Sequence, residues 1–131
     1  MSKSEIKFEK FQKALISLEA VYLKPMQEDR TNIDATIQRF EFTFELAWKF
    51  LKDFFFERGL ELNYPKEIIK EAFSVNLIDD ENLWIKMLRD RNITSNTYDE
   101  KLADEIFSRI KLYVPELRNL LKNIEEIEKD I

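Results

Sequence analysis

Residues 39–56 read RFEFTFELAWKFLKDFFF. Wound at ~100° per residue, Phe40, Phe44, Ala47, Trp48, Leu51, Phe54 and Phe55 share one face of a helix. Phe42, Leu46 and Phe50 widen that face well beyond half the circumference. Only Glu41, Glu45, Lys49 and Lys52 remain as a polar strip. A helix this apolar must be covered on more than one side. It is either the central element of a bundle or it also meets a second subunit. Phe40, Phe44 and Trp48 are therefore expected at the core or at a dimer contact. The helix is expected from about Ile33 to Glu57, with Asn32 or Asp34 as its cap and Gly59 as the residue that ends it.

Working outward, Phe8, Phe11, Leu15, Leu18 and Tyr22 step by three and four residues, which predicts one helix over Glu5–Tyr22 with a narrow seam. Pro25 punctuates the break that follows. Beyond Gly59, NYPKEIIKEAF (63–73) predicts a short helix with Pro65 near its first position. DDENLWIKMLRDR (79–91) predicts a fourth, capped by Asp79 or Asp80, with Leu83, Trp84, Met87 and Leu88 inward and Arg91 continuing their row. Leu102, Ile106, Ile110, Tyr113, Leu117, Leu120, Ile124, Ile127 and Ile131 keep helical register straight through Pro115. That reads as one long helix kinked at the proline, the alternative being two helices split there. No repeat or linker interrupts the pattern, so 1–131 reads as a single all-α, up-and-down bundle of four or five helices.

Composition agrees. The 131 residues are 44% hydrophobic and 36% charged, too apolar for disorder. One Gly and three Pro leave few turns, against a β-rich fold. There is no cysteine, hence no disulfide or thiolate chemistry, and a cytoplasmic setting is expected. There is no histidine, which removes the commonest acid–base group at neutral pH and the commonest transition-metal ligand. Glu41 and Glu45 alone make a poor metal site, and neither metal nor cofactor is expected. The opening MSKSEIKFEKFQ has no apolar core of a signal peptide, and no run suits a membrane span. The net charge of −5 argues against a broad nucleic-acid surface but leaves room for a local basic site.

RDRNITSNTYDE (89–100) is the stretch that departs from generic helix. TYDE fits a capping box with Thr97 as N-cap and Glu100 at N3. That places Asn96 just before a helix and Tyr98 in its first turn, beside free N–H groups that suit a phosphate. Arg91 ends the preceding helix, and its planar fork pairs well with phosphate oxygens. Arg89 is two residues away and Lys86 within two turns. In the plainer reading Arg91 caps its own helix, Asn96 is a loop residue and Tyr98 a packed surface aromatic.

The chain resembles the HEPN superfamily, and within it the branch of nucleotidyltransferase substrate-binding proteins. The resemblance spans nearly the whole chain and rests on IQRFEFTFELAWKFLKDFF (37–55), YPKEIIKEAF (64–73) and LWIKMLRDRNITSNTYDE (83–100). The family pattern in the last is Arg, four residues, His, one residue, Tyr; here it reads Arg91, NITS, Asn96, Thr97, Tyr98. The resemblance implies a homodimeric helical bundle encoded beside a small nucleotidyltransferase, with two motifs facing a shared cleft. In toxin–antitoxin members it implies a metal-independent ribonuclease whose Arg steadies the phosphate and whose His is the acid–base group. The nucleotidyltransferase silences such a toxin by adenylylating the motif Tyr. By position these roles fall on Arg91, Asn96 and Tyr98, with Arg91, Arg89 and Thr97 as the phosphate-binding set.

Asn96 stands where the family has histidine. A carboxamide does not take up or release a proton near neutral pH, and general acid–base catalysis is typically worth ~10²–10⁴-fold. The expected protein is therefore a nucleotide- or RNA-phosphate-binding partner of a nucleotidyltransferase, impaired as a ribonuclease, with Tyr98 available for adenylylation. The competing expectations are an active ribonuclease toxin using Arg91, Asn96 and Tyr98, and a purely structural dimer.

Overall fold

The hub of the molecule is the phenylalanine-rich helix. The computed structural model describes residues 1–22, 30–94 and 99–129. They form helices α1 (Lys3–Tyr22), α2 (Thr31–Phe56), α3 (Pro65–Ser74), α4 (Glu81–Thr94) and α5 (Glu100–Lys129), with no strand among them. α2 packs against all four others. Phe40, Phe44, Ala47 and Leu51 on its inner face are wholly buried. Each large side chain so buried contributes ~1.5–3 kcal/mol.

Side-chain pairs fix the directions. Ser4 donates its N–H and its hydroxyl to Glu57, and Arg39 Nη1 donates to the Ser17 carbonyl, so α1 and α2 run antiparallel. Gln12 pairs with Glu125 and Glu19 with Arg118, so α5 opposes α1. Asp90 pairs with Arg109, and Asp79 with Asn119, so α4 opposes α5. The four long helices thus run up, down, up, down, with α3 a short insert.

Several boundaries follow the sequence pattern. The Leu60 N–H donates to the Phe55 carbonyl at 2.9 Å, and the Gly59 N–H to Phe56 at 3.0 Å. This is the C-terminal turn that needs a left-handed residue, and Gly59 supplies φ 89°. Asn76, at φ 65°, closes α3 the same way through Leu77 to Ala72 and Asn76 to Phe73. Asp80 Oδ1 accepts the Leu83 N–H at 3.0 Å and caps α4. α5 continues unbroken through Pro115 rather than splitting there. Both Pro115 and Lys111, whose carbonyl loses its partner to the proline, face solvent.

Three expectations are corrected. Neither Asn32 nor Asp34 caps α2: the N-cap is Arg30, left-handed at φ 63°, whose carbonyl accepts the Asp34 N–H at 3.1 Å. Asn32 is instead buried. Phe42 does not widen the packed face of α2 but is 63% exposed, because it stands in an open groove between α1 and α2. At the end of α1 the seam is closed by Val21, with Tyr22 only partly buried. Ile131 lies outside the described residues.

Candidate functional site

The last turn of α4 sets Arg91 against α2. Its Nη2 lies 2.8 Å from Glu45 Oε2, with the guanidinium side chain 32% exposed. Glu45 is itself held by its own helix. Trp48 Nε1 donates to Oε2 at 3.1 Å, and Lys49 Nζ lies 3.2 Å from Oε1. Burial pushes the Glu45 carboxyl up, but the bonds from Trp48 and Lys49 and the charges of Arg91 and Lys49 outweigh it and hold it below its ordinary value. An ion pair this open to water contributes ~0–1 kcal/mol. A stronger anion can therefore compete with Glu45 for Arg91. The Thr94 hydroxyl donates to the Arg91 carbonyl at 3.0 Å and tightens the helix end.

Asn96, Thr97 and Tyr98 lie outside the described residues. What borders them is described, and it corrects the capping box. Asp99, not Thr97, caps α5: its Oδ1 accepts the Lys101 N–H at 2.9 Å and the Leu102 N–H at 3.2 Å. Its carbonyl accepts the Ala103 N–H at 2.9 Å. Glu100 is then the first helical residue rather than N3. At the observed start of α5 the N–H groups of Lys101 and Leu102 are already satisfied by a carboxylate of the chain itself.

A cavity of about 350 Å³ opens at this junction, lined by Asp34, Ile37, Gln38 and Glu41 of α2, Thr94 of α4, and Asp99, Leu102 and Ala103 at the start of α5. Its floor is apolar and its rim carries three carboxylates. Glu41 and Glu45 thus part company: the first faces the cavity, the second takes Arg91. Arg30 binds the junction from the other side, with Nη2 2.8 Å from Asp104 Oδ1.

Arg89 is not gathered with Arg91. It is exposed and lines a shallow groove with Lys66 of α3 and Ile85, Leu88, Asn92 and Ile93 of α4. Lys86 and Arg89 also share a surface dip with Asn82 and Ile85. Two residues along a helix turn a side chain to the opposite flank, so the proposed phosphate pair is divided between two sides of α4. Phe40 and Phe44 are core: Phe40 stacks on Tyr113 at 5.3 Å, and Phe44 tilts against Trp84 at 6.1 Å. Trp48 sits at the edge, beside Glu45 and Arg91.

Sequence reasoning missed Asp90. Its side chain is 1% exposed and accepts Arg109 Nε and Nη2, both at 2.8 Å, and the Tyr113 hydroxyl at 2.5 Å. Asp90, rather than Arg91, continues the inward row of Trp84 and Met87. Hydrogen bonding to Asp90 pushes the Arg109 guanidinium above its ordinary value against the effect of burial. Burial, and then Asp90, pushes the Tyr113 hydroxyl well above its usual range. The signal was present: a tyrosine in the apolar row of α5 needs a partner for its hydroxyl, and Asp90 stands three residues after Met87.

Comparison with known proteins adds a context for this site. Residues 6–126 match the family described as nucleotidyltransferase substrate binding protein like. A Haemophilus influenzae protein named "Probable ribonuclease HepT" is 31% identical over 109 residues, 79% of this chain and 75% of that one. A crystal structure from Thermus thermophilus superposes with a TM-score of 0.78 at 38% identity, covering 86% of this chain and 96% of the other. A Haemophilus influenzae structure, titled as revealing the fold of a substrate binding domain of a nucleotidyltransferase, gives 0.68 at 26% identity, covering 93% and 96%.

Proposed function

The chain belongs to the family of nucleotidyltransferase substrate binding proteins, the HEPN branch its motifs resemble, and from that membership we propose that it is the phosphate-binding partner of a small nucleotidyltransferase. In this reading it works as a homodimer in a cytoplasmic toxin–antitoxin-like pair, takes a nucleotide or an RNA phosphate, and is impaired as a ribonuclease. No helix among the described residues is long and apolar enough to cross a membrane.

One observation carries the reading. Arg91, in the last turn of α4, keeps a third of its side chain in solvent and among the described residues pairs with one displaceable carboxylate, Glu45, besides a 3.4 Å bond to Asn92 Oδ1. A phosphate that displaces Glu45 gains the planar fork of Arg91 as a two-point partner. Arg91 is the phosphate-holding group. Asn96 occupies the proton-transfer position and contributes hydrogen bonds only. Tyr98 is the acceptor for adenylylation by the partner enzyme.

RNA cleavage in EDTA by this protein, by Asn96→His and by Arg91→Ala tests it. The expected result is cleavage by Asn96→His alone: a competent scaffold switched off at one position. Cleavage by the chain as it stands, lost in Arg91→Ala, overturns the impairment. That outcome installs the second reading, an active ribonuclease using Arg91, Asn96 and Tyr98, which the name of the Haemophilus influenzae relative favours.

A further inference from the structure

A second surface, outside the junction, carries features of a binding site. The groove between α1 and α2 encloses about 720 Å³ and is lined by Lys10, Lys13, Ser17, Gln38, Arg39 and Phe42. No carboxylate among the described residues lines it, in a chain whose net charge is −5. Lys10 and Lys13 are exposed, and neither they nor Arg39 enters an ion pair among the described residues. Arg39 donates one N–H to the Ser17 carbonyl at 3.1 Å and keeps the rest of its fork for solvent. Among these cations Phe42 is 63% exposed, while Thr43 and Phe44 beside it are wholly buried.

We propose that this groove is a track for single-stranded RNA, with the Phe42 ring as a stacking platform for one base and Lys10, Lys13 and Arg39 as partners of the flanking phosphates. Exposed aromatics interleaved with cations are how single strands are held without base reading: every base has a π-face and every linkage a charge. Lys10 and Lys13 lie one turn apart on α1, as Arg39 and Phe42 do on α2, so two rigid helices set the spacing. The groove adjoins the junction cavity at Gln38, which lines both. Phe42 precedes by three residues, about 4.5 Å of helix rise, the Glu45 that holds Arg91. A strand lying on Phe42 brings a neighbouring phosphate to Arg91; in this respect the inference rests on Arg91 as a phosphate ligand. A second copy laid on this groove about a two-fold axis would set the same three cations against themselves.

The test measures fluorescence anisotropy of a labelled short oligouridylate and, separately, calorimetric binding of 5′-AMP. The proteins are the parent chain, Phe42→Ala, a Lys10→Gln/Lys13→Gln/Arg39→Gln triple variant, and Arg91→Ala. Phe42→Ala should weaken the oligomer roughly tenfold and leave AMP unchanged. The triple variant should flatten the salt dependence by about 2 in log–log slope, from the loss of three phosphate contacts on a single strand. The side chains are exposed, so unaltered circular dichroism is expected of both. An oligomer that fails to bind the parent chain, or that binds Phe42→Ala and the triple variant as well as the parent, overturns the proposal. Displacement of the oligomer by polyglutamate as readily as by unlabelled polyuridylate would assign the groove to an acidic protein surface and also overturn it. If AMP does not bind while the oligomer still depends on Phe42, the groove stands and the Arg91 reading falls.

Discussion

The Arg109 guanidinium meets the buried Asp90 carboxylate along two parallel hydrogen bonds, Nε to Oδ2 and Nη2 to Oδ1, both 2.8 Å. The Tyr113 hydroxyl closes the same carboxylate from one turn further along α5. This clamp fixes the rotation of α4 about its own axis, so Arg91, the next residue, is turned toward α2. Removing Asp90 leaves a guanidinium and a hydroxyl without their partner in a mostly buried place. Asp90→Ala should cost about 3 kcal/mol in urea unfolding, the lower end for a broken buried pair because Arg109 retains some solvent. Tyr113→Phe, which removes one hydrogen bond and keeps the ring on Phe40, should cost about 1 kcal/mol.

Glu45 competes with any anion for Arg91. Glu45→Gln should tighten 5′-AMP binding by up to about fivefold, the equivalent of a partly exposed ion pair, and change stability little. Arg91→Ala should abolish the AMP heat signal. Equal AMP affinity in the Gln variant and the parent would remove Glu45 from the site.

The same pair has a defined acid limit. The Glu45 carboxyl is depressed in the fold, so its contribution is fully present above the ordinary carboxylate value of roughly 4.3 and is lost only as pH falls through the lowered one. A double-mutant cycle over Arg91 and Glu45 should give a constant coupling from neutral pH down toward the ordinary carboxylate value and a decline only below it. Coupling that fades already at pH 6 would contradict the depressed carboxyl.

Asp99 and Thr97 separate two accounts of the start of α5. Asp99→Ala should cost about 1 kcal/mol in thermal or urea unfolding, and Thr97→Ala close to nothing. The reverse order would restore the capping box read from TYDE.

Much of the fold was legible because it rests on periodicity. The Phe40–Phe44–Leu51 face, the Leu102–Ile124 row and the glycine stop at residue 59 are local patterns with one physical solution each. The cap of α2 was not legible. Asn32 and Asp34 have better capping chemistry than Arg30, but Arg30 is held by Asp104 on α5, a contact 74 positions away. Phe42 misled for a related reason: a wheel ranks faces by hydrophobicity and cannot say which face a neighbour covers. At the junction the motif residue Arg91 stood out by type, whereas its partner Glu45 looked like ordinary solvated helix surface. Asp90 was hidden because a carboxylate inside an apolar row reads as a helix-end charge until Arg109 and Tyr113 are seen beside it.

Directionality of the helices divides the molecule into two poles. α2 and α5 run the same way, so Arg30, Thr94 and Asp99 gather at one pole with the 350 Å³ cavity, while Gly59 and Asn76 close the chain at the opposite one. Some 26 residues of α2, about 39 Å of helix, separate the two. The far pole is a natural handle: a dye or tether attached at exposed Glu61 would report on tumbling and assembly from a place where it cannot touch the chemistry.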